Sequence, residues 1–320
     1  MANNQAHDTR GTSDNRTAQA VGLSVAGRAS VVAPTNFVPM YTDNFLDGAI
    51  GTSTTKWRRS EYSNAQSVSG TQSLMLGQNR ASTTTACDGS HYWGNRQDTG
   101  EEAGLPESIP IGNTVWMRIY HYFPSAFSFG HMYQTGVDNA EAAACGKSSD
   151  GNYSGMKWLV FAPNSGTRRI YQHLPSGRRK IEQPSPSDPE NSTQRLQSEV
   201  TGIDQSSAPA PLNQWVAFQM AVKVADDNTG WIRLWNGTEL IAEVLNVPTV
   251  HTPDGATTIR SWGLGDYWNG VPYTDNAEGR NSFYIDEIII ASDMPGYGAP
   301  TGLDAAGNAY IDPDTRVGDL

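Results

Sequence analysis

Val115-Trp-Met-Arg-Ile-Tyr-His-Tyr-Phe123 and Trp215-Val-Ala-Phe-Gln-Met-Ala-Val-Lys-Val224 each sort their residues by parity. In the first run the odd positions are Val115, Met117, Ile119, His121 and Phe123, and the even ones Trp116, Arg118, Tyr120 and Tyr122. In the second the even positions are Val216, Phe218, Met220, Val222 and Val224, and the odd ones Trp215, Ala217, Gln219, Ala221 and Lys223. Side chains alternate faces along a strand, so each run predicts a strand with one apolar face. The opposite face carries rings beside a cation or an amide, where an ordinary solvent face would carry Thr, Ser, Lys and Glu.

Flat rings stack on the apolar C–H faces of a pyranose, and planar donors and acceptors fix its hydroxyls. Trp116, Arg118, Tyr120, Tyr122, Trp215, Gln219 and Lys223 are therefore candidates for carbohydrate binding. A second packing layer over the same face fits the pattern equally well.

Working outward, nine further runs read as strands: Lys56–Ser63, Ser73–Leu76, Lys157–Phe161, Arg168–Leu174, Arg178–Glu182, Trp231–Trp235, Glu239–Leu245, Ser261–Leu264 and Phe283–Ala291. Asn236-Gly237 between two of them is a hairpin signal, with both residues tolerant of positive φ. With 32 Gly, 18 Pro and no long helical period, the chain predicts an all-β antiparallel sandwich. The domain is expected over 37–294, with 183–214 a Pro/Ser/Asn/Gln-rich surface loop. Residues 1–36 and 295–320 are polar and turn-rich with sparse apolar anchors. They predict extended arms that order against neighbouring subunits.

The formal net charge of −11 argues against a nucleic-acid partner. No apolar run approaches a membrane span. The first twenty residues lack the apolar core of a secretory signal. Abundant Ser, Thr, Asn and Gly with only five Lys nevertheless look extracellular. Removal of a signal, or release by lysis as for virion proteins, reconciles the two, and the expected location is extracellular or a virion surface. Cys87 and Cys145 make no disulfide scaffold and have no metal-ligand spacing. Free thiols are expected, with pairing left open. His7, His91, His131 and His251 fall in loops without partner spacing.

Asp43-Asn-Phe-Leu-Asp-Gly48, Gly70-Thr-Gln-Ser-Leu-Met-Leu76, Thr114–Tyr120, Trp215–Val222 and Phe283-Tyr-Ile-Asp-Glu-Ile-Ile-Ile290 together resemble the concanavalin A-like jelly roll of polysaccharide lyases and laminarin-binding modules. The resemblance spans about residues 40–292. It implies a concave front sheet that holds saccharide and a back sheet in which the first and last strands pair.

Glycoside hydrolysis needs two carboxyl groups flanking the scissile bond. The Glu-x-Asp-x-x-Glu strand of the laminarinase-like members is missing. Asp286 and Glu287 are adjacent and expected on opposite faces. Alginate-lyase members carry Arg-Ser-Glu-x-Arg and Gln-x-His. Here Arg59-Ser-Glu61 is followed by Ser63 instead of the second Arg, and Gln172 and His173 are adjacent. A different lyase arrangement would draw on Arg118, Tyr120, His173, Gln219 or Tyr267, since a cation or amide must neutralise the uronate while a Tyr or His moves the proton.

Five cations within Arg168–Lys180, with Arg169, Tyr171 and His173 on one face, predict a patch for an acidic glycan or a charged edge hairpin that resists aggregation. Asp43, Asp47 and Asp286 would supply oxygen ligands for a structural Ca²⁺ if the first and last strands meet. The missing lyase motifs, missing signal and polar arms favour a non-catalytic surface protein of a larger assembly, such as a phage capsid decoration or head-fibre protein, with a glycan-binding jelly roll. The alternative is a lyase that cleaves an acidic polysaccharide by β-elimination.

Overall fold

The chain is described by a computed structural model over residues 37–52, 60–79, 90–93, 103–125, 156–163, 170–174, 180–184, 195–197, 211–250, 252–264, 266–269 and 280–320. Two antiparallel sheets face each other, a jelly-roll sandwich, and among the described residues there is no α-helix. The larger sheet contains β1 (Tyr41–Asp43), β2 (Ser60–Ser63), β3 (Ser73–Asn79), β6 (Thr114–Tyr122), β11 (Trp215–Lys223), β12 (Gly230–Asn236), β13 (Glu239–Val247) and β16 (Arg280–Ser292). Its order is β13-β12-β11-β6-β16-β3-β2, with β1 also pairing β16. The smaller sheet has the order β10-β9-β8-β7-β14-β5. Its members are β5 (Ala103–Pro110), β7 (Met156–Pro163), β8 (Ile170–Leu174), β9 (Lys180–Pro184), β10 (Arg195–Gln197) and β14 (Thr258–Leu264). Two short ribbons complete the set: β4 (Ser90–Trp93) with β15 (Asp266–Asn269), and β17 (Gly302–Leu303) with β18 (Ala309–Tyr310).

Every expected run contains a strand. β10 lies inside the stretch read as a loop over 183–214. The first and last strands of the sandwich, β1 and β16, pair in the larger sheet, from Tyr41↔Ile290 to Asp43↔Ile288. The parity reading fixes the core. Val115, Met117 and Ile119 of β6 and Phe218, Met220 and Val222 of β11 are fully buried between the sheets, against Ile109, Phe161, Ile259 and Trp262 of the smaller one. His121 shares that face, its ring 3.8 Å from Phe218 and 4.7 Å from Phe123, centroid to centroid.

The hairpin between β12 and β13 turns one residue later than Asn236-Gly237 implies. Asn236 still pairs, with Glu239, and Gly237-Thr238 is the two-residue turn. Gly237 alone takes positive φ (61°), which suits a turn with glycine at its first central position. At the far end of the same strand, a Cβ on Gly230 would sit 2.4 Å from the Val247 carbonyl oxygen.

The two glycines separate conformational from steric cost. Gly237→Ala meets no atom within 4 Å and should lose about 1 kcal/mol to its left-handed backbone. Gly230→Ala must push β13 away and should lose more. Urea unfolding of both variants checks the order, and equal midpoints would mean that β13 yields without cost.

Candidate active site

The ring-and-cation face of β6 and β11 is one surface, as the antiparallel register dictates: Trp116↔Ala221, Arg118↔Gln219, Tyr120↔Ala217 and Tyr122↔Trp215. That surface is covered. The C-terminal segment Gly302–Leu320 lies across it, and Trp116, Ala221, Trp235, Ile289 and Ala291 pack with Tyr310 and Ile311 in a second hydrophobic cluster. Most polar atoms of the face bond to this segment, while Arg118 Nε and Nη2 have no hydrogen-bond partner. Trp116 Nε1 donates to Ala309 O (2.9 Å). Arg118 Nη1 donates to Asp312 O (2.9 Å) and Thr315 O (2.5 Å). Tyr120 Oη donates to Pro313 O. Gln219 donates to Ile311 O (2.7 Å) and accepts from Ile311 N (2.8 Å). Trp235 Nε1 donates to the Asp304 carboxylate (2.9 Å).

Trp116, Arg118, Tyr120 and Gln219 are thus corrected, both as carbohydrate ligands and, for the last three, as catalytic candidates. They are buried under the chain's own C-terminus, so no glycan reaches them. The reading of 295–320 as an arm held by a neighbouring subunit is corrected on the same ground. The counterpart for residues 1–36 lies outside the described residues.

The sequence also hides a bulge. β16 pairs with β6 at Asp286↔Tyr120 and next at Ile289↔Arg118, three steps against two, with Glu287 at φ 52°. Asp286 and Glu287 consequently do not alternate, and both serve the loop at Val68–Ser69. Asp286 accepts from Val68 N (2.8 Å) and Ser69 N (3.4 Å), and from Glu287 N (2.9 Å). Glu287 accepts from Ser69 Oγ and from Val317 N (2.7 Å), and lies 3.6 Å from Arg118 Nη2. Burial pushes the Arg118 guanidinium down to about 10, against the pull of Tyr120 and Glu287. Burial likewise pushes the Asp286 carboxyl up to about 7, although three N–H donors oppose it.

Asp43 is engaged by Tyr41 Oη and Phe45 N, Asp47 by Tyr62 Oη, and Asp286 as above. The expected Ca²⁺ ligands are therefore used separately, and among the described residues no three acidic, His or Cys side chains form a metal cluster. Tyr122 and Trp215 are half-buried neighbours with centroids 5.6 Å apart, and Tyr122 donates to Asn213. Lys223 is half-buried at the end of β11. Arg59, Arg169, Cys87 and Cys145 lie outside the described residues. Glu61 is on β2 of the larger sheet.

The smaller sheet assembles a different set. Phe161 is buried in the inter-sheet core and pairs with Ile170, so Tyr171 and His173 hold positions on the face turned away from that core. His173 pairs with Lys157 of β7 on one side and Lys180 of β9 on the other. Tyr171 pairs with Val160 and with Glu182. A Lys157–His173–Lys180 row thus crosses three adjacent strands. Tyr267 lies on β15, which runs beside β7, and pairs with Tyr92 of β4, while His91 pairs with Trp268. His91 is therefore a strand residue. Lys180 falls within the Arg168–Lys180 cluster already read from the sequence, whereas Lys157 escaped because the pairing of β7 with β8, with its register shift between Lys157 and Val160, has no local signature. The available signal was that two of only five lysines flank a strand histidine.

A family model described as polysaccharide lyase matches residues 38–289. Among solved structures, an endo-β-1,4-glucuronan lyase from the fungus Trichoderma reesei is 13% identical with a TM-score of 0.49, covering 79% of this chain and 94% of its own. An alginate lyase is 10% identical with a TM-score of 0.45, covering 79% and 97%. An alginate lyase from Chlorella virus is 12% identical with a TM-score of 0.41, covering 72% and 88%. No curated protein matches the chain. The family match overturns the reading of a non-catalytic surface protein of an assembly and favours its alternative.

The buried acid pair gives a pH signature. The Asp286 carboxyl in the folded chain lies above its ordinary 3.8, so folding favours the protonated form. Stability from this group is full below 3.8, falls as pH rises to about 7, and is constant above. Unfolding free energies of the wild type and Asp286→Asn, taken across that window, should show the wild type declining relative to the variant. Parallel curves would refute the assignment.

Proposed function

Because the chain belongs to the polysaccharide lyase family, we propose that it cleaves an acidic, uronate-containing polysaccharide by β-elimination on the outer face of the six-stranded sheet. The observation that carries this reading is His173 between Lys157 and Lys180 in one cross-strand row. Elimination requires a base to take the C5 proton of the uronate. The C4–O4 bond then breaks as the C4–C5 double bond forms, and O4 takes up a proton. The C5 proton is acidic enough only when the adjoining carboxylate is neutralised. Lys157 and Lys180 supply that positive charge and His173 is the base, with Tyr171 or Tyr267 returning the proton to the leaving oxygen.

Spacing supports a polymer lying across the strands. Neighbouring strands are about 4.8 Å apart, close to the rise of one pyranose in a 1,4-linked chain. The β4–β15 ribbon, which runs beside β7, carries Tyr92, Trp93, Tyr267 and Trp268, residue types suited to stacking on flanking sugars. The protein's overall charge of −11 repels a polyanion, so binding depends on these local cations and weakens with salt.

Incubation with glucuronan, alginate and a neutral glucan, followed by the ultraviolet absorbance of unsaturated uronate ends, tests the proposal. Cleavage of a polyuronate and not of the neutral chain is expected. His173→Ala should lower kcat/KM by about a hundredfold or more. Lys157→Ala and Lys180→Ala should raise KM and flatten its salt dependence. A folded protein that releases no unsaturated product from any acidic polymer would overturn the reading.

A further inference from the structure

The outer face of the six-stranded sheet carries a second cross-strand row beside the one that holds His173. Pairing runs from Gly263 of β14 to Val160 of β7, Tyr171 of β8, Glu182 of β9 and Gln197 of β10. Tyr171 stands two residues from His173 on β8, and Glu182 two residues from Lys180 on β9, so both rows lie on one face. Their chemistry differs. The first row, Lys157–His173–Lys180, is cationic. The second row, among the described residues, offers an aliphatic residue, a phenol, a carboxylate and an amide, and no cation. Arg195 is opposite Pro184, one row farther from the lysines.

A polysaccharide lying across the strands, as proposed above, runs between these rows with about one sugar per strand. In a β-1,4-linked chain each pyranose is turned over relative to the last, so the C5 substituents point to alternate edges. A uronate over β8 with its carboxylate toward the lysines therefore has two neighbours, over β7 and β9, whose C5 substituents point to the second row. They arrive at the positions of Val160 and Glu182. A carboxylate or sulfate ester there finds no counter-charge, and at Glu182 it meets a like charge, which costs binding. A neutral hydroxymethyl group suits both positions. Its hydroxyl donates to a carboxylate or an amide, and its methylene tolerates an aliphatic neighbour.

We infer that the substrate is an alternating polymer, in which each uronate is flanked by neutral sugars, and that Glu182 selects for it by rejecting a second carboxylate. This selection rests on the lyase reading of the His173 row and narrows its substrate class. Glu182 acts at the sugar over β9 and takes no part in moving the proton. The other role for a carboxylate beside Lys180 is that of counter-ion, and the two roles have different signatures. A counter-ion weakens every acidic substrate alike, whereas a selecting group weakens only a chain with adjoining uronates.

Three β-1,4-glucans that differ only at C6 make the test: one unoxidised, one oxidised to glucuronate on alternate residues, and one oxidised on every residue. Release of unsaturated ends is followed for each, and binding is measured by calorimetry with His173→Ala, both expressed per uronate. The alternating chain should show a kcat/KM about tenfold above that of the fully oxidised one, with affinities in the same order. Glu182→Gln should raise kcat/KM on the fully oxidised chain by about that factor, with much less effect on the alternating chain. Glu182→Lys should reverse the preference. Equal rates on the two acidic chains, or an equal gain on both in Glu182→Gln, overturns selection by Glu182 and leaves the lyase reading intact. If neither acidic chain is cleaved the lyase reading falls, and tighter binding of the fully oxidised chain overturns the selection as well.

Discussion

Arg118 is a fully buried cation whose Nη1 alone is hydrogen-bonded, with Nε and Nη2 left without a hydrogen-bond partner, and its surroundings tie together distant parts of the chain. Two of its acceptors, the carbonyls of Asp312 and Thr315, come from the C-terminal segment, and its counter-ion Glu287 comes from β16. Glu287 reaches this side of the sheet only because the bulge interrupts alternation, and its positive φ is the local cost. Removing one partner of such a pair typically costs about 3–5 kcal/mol, since the other charge is left buried and uncompensated. The bulge, the loop at Val68–Ser69 and the path of the last twenty residues are thus tied to one side chain in the centre of a strand.

This arrangement decides which face of the sandwich meets solvent chemistry. The larger sheet is apolar inward and, over Trp116, Arg118, Tyr120 and Gln219, covered outward by the C-terminal segment, whose carbonyls accept from those four side chains. The smaller sheet bears Lys157, His173 and Lys180 in register on the face away from the core. For the acidic polymer proposed as substrate, a protein of net charge −11 needs its cations concentrated, since the long-range field is unfavourable and only close charges escape screening. A three-strand row does that with few residues.

Parity made the fold legible: the alternation of β6 and β11 placed Met117, Ile119, Phe218 and Met220 inside without any tertiary information. It also placed Trp116, Arg118, Tyr120 and Gln219 together on the opposite face, and there it ran out. Alternation says which residues share a surface, not what covers it, and the cover lies nearly two hundred residues downstream of Trp116. The bulge at Glu287 was unreadable for a related reason, because adjacency implies opposite faces only while the pairing is regular. The Lys157–His173–Lys180 row depends on how three strands slide past one another, and the register shift between β7 and β8 has no local signature.

The arms illustrate the same limit from the side of energetics. A segment with few apolar residues does not offset its own chain entropy, and from that the sequence argument inferred an external partner. The partner is instead the outer face of the chain's own sheet. It supplies what the segment lacks: Tyr310 and Ile311 are buried against Trp116 and Trp235, and the carbonyls that would otherwise need water are met by Trp, Arg, Tyr and Gln donors. The residues that looked most like sugar ligands have the chemistry required for this task, because an amide carbonyl and a sugar hydroxyl both accept hydrogen bonds from planar donors. Composition of a face therefore identifies the kind of group it binds, and only the tertiary fold identifies whether that group belongs to a substrate or to the backbone of the same chain.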